Sequence, residues 1–360
     1  MRKLSRRDFF KASGLALAGL AAPDIPGGMT GGLSDEEWAF IQPRAAAQHT
    51  LGRITVTTPV RAEVGLNKEV VEWLAPETII PLFEVIEGPG NNPRNFKWYR
   101  VENGFVYSST VQPVQPYHLP DIRTDAGEWG FWAEIVVPHT FARLRPNGRL
   151  ADGESVYHYS SVHHVVDVDE DVDGNVWYKL FDEAPEEPPE SGWTVFPWVV
   201  ARHMRPLTED EFEPIVVTSG SPDKTLEIDL ANQELFCYEN GQEVFSTMCS
   251  SGGEGFGTPR GEHHVVLKQP ARHMYGDENL ADPNFFDLPG VPWTTFFTTL
   301  GHAIHGTYWH SDYGRVRSHG CVNVSSEAAK WIYRWTGPRA PYESDFVPGN
   351  KQNGTPIVVF

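Results

Sequence analysis

From Leu51 onward the chain is written in short alternating runs, and this limits the fold more than any other feature. Arg53-Ile-Thr-Val-Thr57, Val70-Val-Glu-Trp-Leu74, Ile79-Ile-Pro-Leu-Phe-Glu-Val-Ile86, Lys97-Trp-Tyr-Arg-Val101 and Gly104-Phe-Val-Tyr107 are separated by turn residues. Side chains two apart share one face of a strand, so runs of this length predict a small barrel of β-strands. The pattern recurs. Glu134-Ile-Val-Val-Pro138 opens a second copy, and Tyr157 to Val168 supplies longer alternating strands. Val176-Trp-Tyr-Lys-Leu180 echoes Lys97 to Val101, and Val199 to Pro206 echoes Tyr107 to Pro113. Two related units are expected, joined by a linker at Gln112 to Leu119; a single irregular β domain is the plainer alternative.

The second copy contains Asp167-Val-Asp-Glu-Asp-Val-Asp-Gly174. Asp169, Asp171, Asp173 and Gly174 match the start of a calcium-binding loop, but Leu180 stands where the bidentate glutamate belongs. An acidic hairpin loop is the reading. The Pro-rich run Glu183 to Trp198 is expected to be a surface insertion, and Ser219-Gly-Ser-Pro222 a linker before the last domain. There Leu226 to Asp229, Glu234 to Tyr238, Glu243 to Met248, His263 to Leu267 and Trp293 to Thr299 read as strands. Lys268 to Pro292 reads as a lid or binding loop. Ser325 or Ser326 can cap a helix that places Ala328, Trp331, Ile332 and Trp335 on one face.

The formal charge of −19 argues against nucleic acid as a partner. Ser5-Arg6-Arg7-Asp8-Phe9-Phe10-Lys11 is a twin-arginine pattern, followed by an apolar run to Ala22 too short to span a bilayer. Residues 1–22 are therefore expected to be a twin-arginine (Tat) export signal and 23–50 a tether. The Tat translocase would be a transient partner. The destination would be extracytoplasmic, in the periplasm or cell wall, with membrane tethering if the signal is uncleaved.

The chain has three cysteines. Cys237 and Cys249 flank the hairpin turn Asn240-Gly241. Pairing Glu239 with Gln242 would put Cys237 opposite Val244 and the two thiols on opposite faces, so all three are expected to be free. Cys321 lies in Ser318-His319-Gly320-Cys321-Val322-Asn323, sixteen residues after His305-Gly306-Thr307. A free thiol with pKa ~8.5 is mostly protonated at neutral pH, and a nearby imidazole can take its proton. Gly320 lets the backbone turn so that successive N–H groups converge, as an oxyanion hole requires.

These motifs, with Leu226 to Gly241 and Gly257-Thr258-Pro259-Arg260-Gly261 before them, resemble the L,D-transpeptidase (YkuD-type) catalytic domain. The resemblance covers roughly Thr225 to Phe360. It implies a mainly β protein whose residues 223–360 form an L,D-transpeptidase-like β-sandwich with a short helix after the catalytic cysteine. The two upstream copies, at 51–115 and 128–212, more loosely resemble bacterial SH3-like wall-binding barrels.

The resemblance further implies an exported peptidoglycan enzyme. Cys321 would be the nucleophile and His305 the general base, with the Gly306 carbonyl orienting the ring. The N–H groups of His319, Gly320 and Cys321 would form the oxyanion hole, with Ser318 and His319 supporting the loop. Asn323 would position the donor stem peptide. Tyr275, with His273, falls in the lid and is a candidate substrate contact. Trp293 reads first as packing and second as a cleft wall. Cys321 would release D-alanine from a donor stem and pass the thioester to an acceptor amine, giving a 3→3 cross-link. Carbapenems are an implied class of inhibitor, and no cofactor or metal is expected.

Three other readings stand beside this one. Water as acceptor would make an L,D-carboxypeptidase. An NlpC-type peptidase also joins a Cys–His site to SH3-like modules, but there the cysteine precedes the histidine. A non-catalytic wall-binding protein would need a decayed site, and every core motif residue is present. His302, His305, His310 and His319 as a zinc site is the remaining rival for the histidines, against an irregular spacing.

Overall fold

A computed structural model describes residues 50–115, 118–146, 148, 156–181, 196–276 and 286–360. The expected export signal at 1–22, all but the last residue of the tether at 23–50 and most of the Pro-rich run lie outside the described residues. The described chain is mainly β, with one α-helix at Ser326–Trp335.

The first unit holds two sheets. Thr50–Ile54 lies between Ile79–Leu82 and Val111–Val114, and a five-stranded sheet runs 70–74, 58–61, 104–107, 97–101, 84–87 in spatial order. Ile54, Val60, Tyr99, Val106 and Val111 close its core. The run expected to begin a linker is thus a strand at its start: Val111–Val114 pairs antiparallel with Leu51–Ile54. Alternation in Val111-Gln-Pro-Val114 is broken by Pro113, which hid the pattern.

In the second unit the sheet order is 198–200, 176–181, 162–170, 131–135, 204–206, with Phe131, Ile135, Tyr178 and Leu180 inside. The echo noted above has a structural counterpart. Gly104–Tyr107 and Trp198–Val200 are each followed by a three-residue 3₁₀ turn and another strand. Of the acids at 167–173, Asp167, Asp169 and Glu170 end the strand Val162–Glu170, and Asp171 and Asp173 lie in the turn that follows. Asp171 accepts the N–H groups of Asp173 (3.0 Å) and Asn175 (2.9 Å) and the indole N–H of Trp177 (2.9 Å).

The C-terminal part stacks two five-stranded sheets on a shared core. One runs 242–248, 234–239, 224–229, 356–359, 261–264; the other runs 322–324, 303–306, 287–296, 267–275, 347–348. Leu226, Ile228, Leu235 and Ile357 from the first sheet meet Trp293, Ile304, Val322 and Val324 from the second, with Ile332 and Trp335 of the helix. The helix begins where Ser325 accepts the Ala328 N–H (3.2 Å), as an N-cap hydroxyl does. Asn240 and Gly241 both take positive φ (50° and 76°), the geometry of a tight hairpin turn.

Two expectations need correction. A bulge between Cys237 and Tyr238 places Cys237 opposite Phe245 instead of Val244. The extra residue inverts the parity, so Cys237 and Cys249 share one core cluster, both buried and both free. The described parts of Lys268 to Pro292 are strand and not irregular loop. Leu267–Tyr275 and Asp287–Phe296 form a long antiparallel arm, with a register shift between Arg272 and Met274. Pro270, Pro289 and Pro292 interrupt the alternation that would have shown it.

The second unit is fused to this domain. Trp132, Val162, Leu207 and Phe212 belong to the same core cluster as Ile304 and Val322. The Trp132 indole donates to Tyr342 O (3.1 Å), and the Phe212 and Trp293 rings lie 5.3 Å apart.

Candidate active site

Strand Ala303–Gly306 is buried throughout and pairs in parallel with Val322–Val324, Ile304 facing Val322 and His305 facing Asn323. Cys321 therefore sits level with Ala303, two residues from His305 on the neighbouring strand. Positions two apart point to the same side. Both side chains border one cleft of about 1060 Å³.

His305 is 2 % exposed, and its Nδ1 donates to Gly306 O at 2.9 Å. That bond fixes the tautomer and leaves Nε2 with its lone pair. Burial pushes the imidazole pKa down to about 4, against a smaller raising effect of the Gly306 carbonyl. The Trp309 ring lies 5.8 Å from it. Gly306 is confined by packing: a Cβ there would come within 2.8 Å of Pro292 Cγ and 2.9 Å of Ser326 Cα.

The Cys321 thiol is half-buried and points at Gly301 O, 3.7 Å away. Burial pushes its pKa up to about 11, and a hydrogen bond from the Ala303 main chain partly offsets this. At rest the pair is a neutral thiol and a neutral imidazole. An attack by this thiol would need its proton removed as the new bond forms, the pattern of general-base catalysis and not of a preformed ion pair.

The loop before the sulfur is tied down by hydroxyls. Ser318 Oγ donates to Cys321 O (2.5 Å) and accepts the Gly320 N–H (3.1 Å). Thr258 Oγ1 donates to Gly320 O and accepts the Gly252 N–H, both at 2.9 Å. Gly320 has φ of 113°, which favours glycine. Its N–H is already engaged by Ser318, so of the three expected oxyanion donors it is not one. The N–H groups of His319 and Cys321 are the remaining candidates. His319 stands between the rings of Phe256 (4.5 Å) and Phe286 (5.3 Å).

Asn323 borders the cleft and contacts His310 Nε2 at 3.0 Å. His310 Nδ1 accepts the Asp312 N–H (3.2 Å), and burial lowers the ring's pKa to about 3. The structure sets Asn323 Nδ2 at this distance; a neutral ring that accepts at Nδ1 must donate from Nε2, so the contact is a hydrogen bond once the amide oxygen takes that place. Tyr275 is 40 % exposed at the cleft, near Met274, Phe286 and Leu288.

Trp293 does not line the cleft. It is 2 % exposed, with φ of 57°, and packs against Phe212 and Tyr333 in the core. The positive φ interrupts the strand's alternation, which turns the indole inward. The four histidines weighed as a zinc site go separate ways: His302 to Thr298 Oγ1 (2.9 Å), His305 to Gly306, His310 to Asn323, His319 to the aromatic rings. Thr258 was visible only as part of a motif, and Ser251, Gln233 and Arg317 carried no signal in the sequence. Gln233 makes two 2.7 Å hydrogen bonds to Ser251, whose carbonyl holds the N–H groups of Arg317 and Ser318.

Residues 223–359 match the family model described as the L,D-transpeptidase catalytic domain, YkuD. No curated protein matches the chain. Among solved structures, it is similar to an L,D-transpeptidase from Mycobacterium smegmatis at 19 % identity and TM-score 0.33, over 51 % of this chain and 90 % of that one. It is also similar to an L,D-transpeptidase from Enterococcus faecium, at 25 % identity and TM-score 0.30 over 38 % and 50 %. A third is L,D-transpeptidase 3 from Mycobacterium tuberculosis with a faropenem-derived adduct, at 17 % identity and TM-score 0.31 over 51 % and 90 %. The family match and the motif residues within it carry the assignment: residues 223–359 are an L,D-transpeptidase catalytic domain of the YkuD family.

Proposed function

We propose that the protein is an exported peptidoglycan L,D-transpeptidase that forms 3→3 cross-links through a Cys321 thioester. The observation that carries this reading is the tautomer of His305. Its Nδ1 is committed to Gly306 O, which leaves Nε2 as the free base of a ring that borders the same cleft as Cys321.

Cys321 Sγ attacks the carbonyl between the third and fourth residues of a donor stem while Nε2 takes the thiol proton. The N–H groups of His319 and Cys321 face the developing oxyanion. Collapse expels the D-residue, whose amine takes the proton from His305. The amine of an acceptor stem then attacks the thioester, loses its proton to Nε2, and releases the thiol. Water in place of the amine gives the carboxypeptidase reaction. Asn323 and Tyr275 are assigned to the donor peptide.

The upstream units, 51–115 and 128–212, would act as SH3-like modules holding the enzyme on the wall. The echo of Lys97–Val101 in Val176–Leu180 and the repeated strand, 3₁₀ turn, strand order support that role. Residues 1–22 would direct Tat export, and 23–50 would tether the folded part.

Incubation with a carbapenem should add one adduct mass to the intact protein, and Cys321→Ala should abolish it. Defined tetrapeptide muropeptides should yield 3→3 dimers. An adduct retained in Cys321→Ala, or muropeptides left unchanged, would overturn the reading.

A further inference from the structure

The segment that follows the proposed base, 307–313, is held from the far end of the chain. Arg53, 2 % exposed, donates through Nη2 to Tyr308 O. The same guanidinium donates to Gln112 Oε1 (2.8 Å) and Glu77 Oε1 (2.6 Å), both in the first β unit. Ser109 O accepts the Ser311 N–H (3.4 Å). Asn92, fully buried, donates from Nδ2 to Asp312 Oδ1 (3.2 Å) and Tyr313 O (2.8 Å). Four residues of one short segment are thus fixed by a unit more than two hundred residues earlier.

The other side of that segment meets the catalytic groups. Trp309 stands against the His305 ring. Tyr308 OH donates to Pro289 O (2.8 Å) in the arm that walls the cleft. Asp312 Oδ2 pairs with Arg315 and lies 3.8 Å from Arg317 Nε, one residue before Ser318. His310 reaches Asn323. The contact on the far side is also built: the His158 ring stacks on Tyr308 at 5.3 Å, and His158 and His139 lie 3.4 and 3.3 Å from the Glu77 carboxylate.

We infer that the first β unit is part of the catalytic apparatus, with Arg53 and Asn92 as positioning residues that set the 307–313 segment and through it the His305 imidazole. The inference rests on the reading of Cys321 and His305 above. A guanidinium suits the role, because its planar fork meets three acceptors at once, which an ammonium on a flexible stem does not. A shift of about 1 Å in a reacting group costs on the order of 100-fold in rate, so a modest loosening of the segment has a measurable effect.

The test uses the full chain with two variants: Asn92→Ala, and Arg53→Met combined with Glu77→Gln so that no buried charge is left unpaired. Two reactions are followed in proteins shown to be folded by their melting transition. One is carbapenem acylation, resolved into a maximal rate and a half-saturating concentration. The other is iodoacetamide alkylation of Cys321, located by peptide mass. Each variant is expected to lose about tenfold or more in maximal acylation rate, with half-saturation within about twofold, and to slow alkylation in parallel. A folded variant that keeps both rates within about twofold of the parent overturns the inference. If the double variant does not fold, Asn92→Ala decides alone by the same criterion. If the parent takes no carbapenem yet the variants still slow alkylation, the transpeptidase reading fails and the positioning role stands.

Discussion

Ser318 donates its hydroxyl proton to the carbonyl oxygen of Cys321, 2.5 Å away, and the hydroxyl oxygen itself accepts the N–H of Gly320 between them. One hydroxyl thus closes the turn from Ser318 to Cys321. Ser318→Ala removes both bonds at a stability cost of about 1–2 kcal/mol. Acylation of Cys321 is expected to slow by about 10- to 100-fold, since the amides facing an oxyanion lose their aim. Parallel melting and single-turnover acylation measurements separate the two effects; equal acylation rates would remove Ser318 from the site.

The His305 imidazole is a base only when unprotonated, and burial holds its pKa near about 4. Acylation by a carbapenem is therefore expected to be flat from about pH 6 to 9 and to fall only as the pH drops toward 4. An inflection near 6.5 would mean that the ring is solvated during reaction.

Acid should also loosen the fold. His158 and His305 have pKa values lowered to about 4, and His203 and His310 to about 3, chiefly by burial. Between these values and about 6.5 the unfolded chain binds more protons than the folded one, so stability rises with pH across that window. It is fully present above the unfolded value and lost as the pH falls. Denaturant unfolding at pH 5 is expected to show at least about 2 kcal/mol less stability than at pH 7. An unchanged midpoint would contradict the neutral, buried state of these rings.

Gly306→Ala introduces a methyl 2.8 Å from Pro292 Cγ and 2.9 Å from the Ser326 backbone. Overpacking of this kind costs about 1–3 kcal/mol and displaces the carbonyl that orients His305. Lower melting temperature together with a steeper loss of acylation is the expected result. A variant with normal acylation would show that the carbonyl has no orienting role.

Trp293→Ala separates packing from recognition. The indole is buried between Phe212 and Tyr333, so truncation is expected to cost about 3–5 kcal/mol. Half-saturation by a carbapenem, measured well below the melting transition, should stay near the parental value. A large rise there would return the residue to the cleft.

The chemistry of the site was legible because it demands particular residues at particular places. A thiol, an imidazole followed by glycine, and a glycine beside the cysteine have few substitutes, and the pair Ser325-Ser326 announced a helix. What stayed hidden has physical causes. Prolines at 270, 289 and 292 broke the alternation of the arm, and the positive φ at Trp293 reversed one side chain. A bulge at Cys237 inverted a register that simple counting had assigned. The contacts of Arg53 with Tyr308 and Asn92 with Asp312 span more than two hundred residues, and no local pattern encodes such a meeting. Gln233 and Ser251 are ordinary polar residues until the fold brings them together.

Strand Pro356–Val359 lies in the interior of its sheet, parallel to Lys224–Asp229 on one side and antiparallel to Gly261–His264 on the other. The ribosome makes it more than thirty residues after Cys321. A nascent chain that has just delivered Cys321 still has a gap in that layer, with Leu226 and Ile228 lacking the neighbours that cover them. The packing beneath the site is therefore complete only once this strand is in place, and a chain cut short before it carries the whole signature without the layer that supports it.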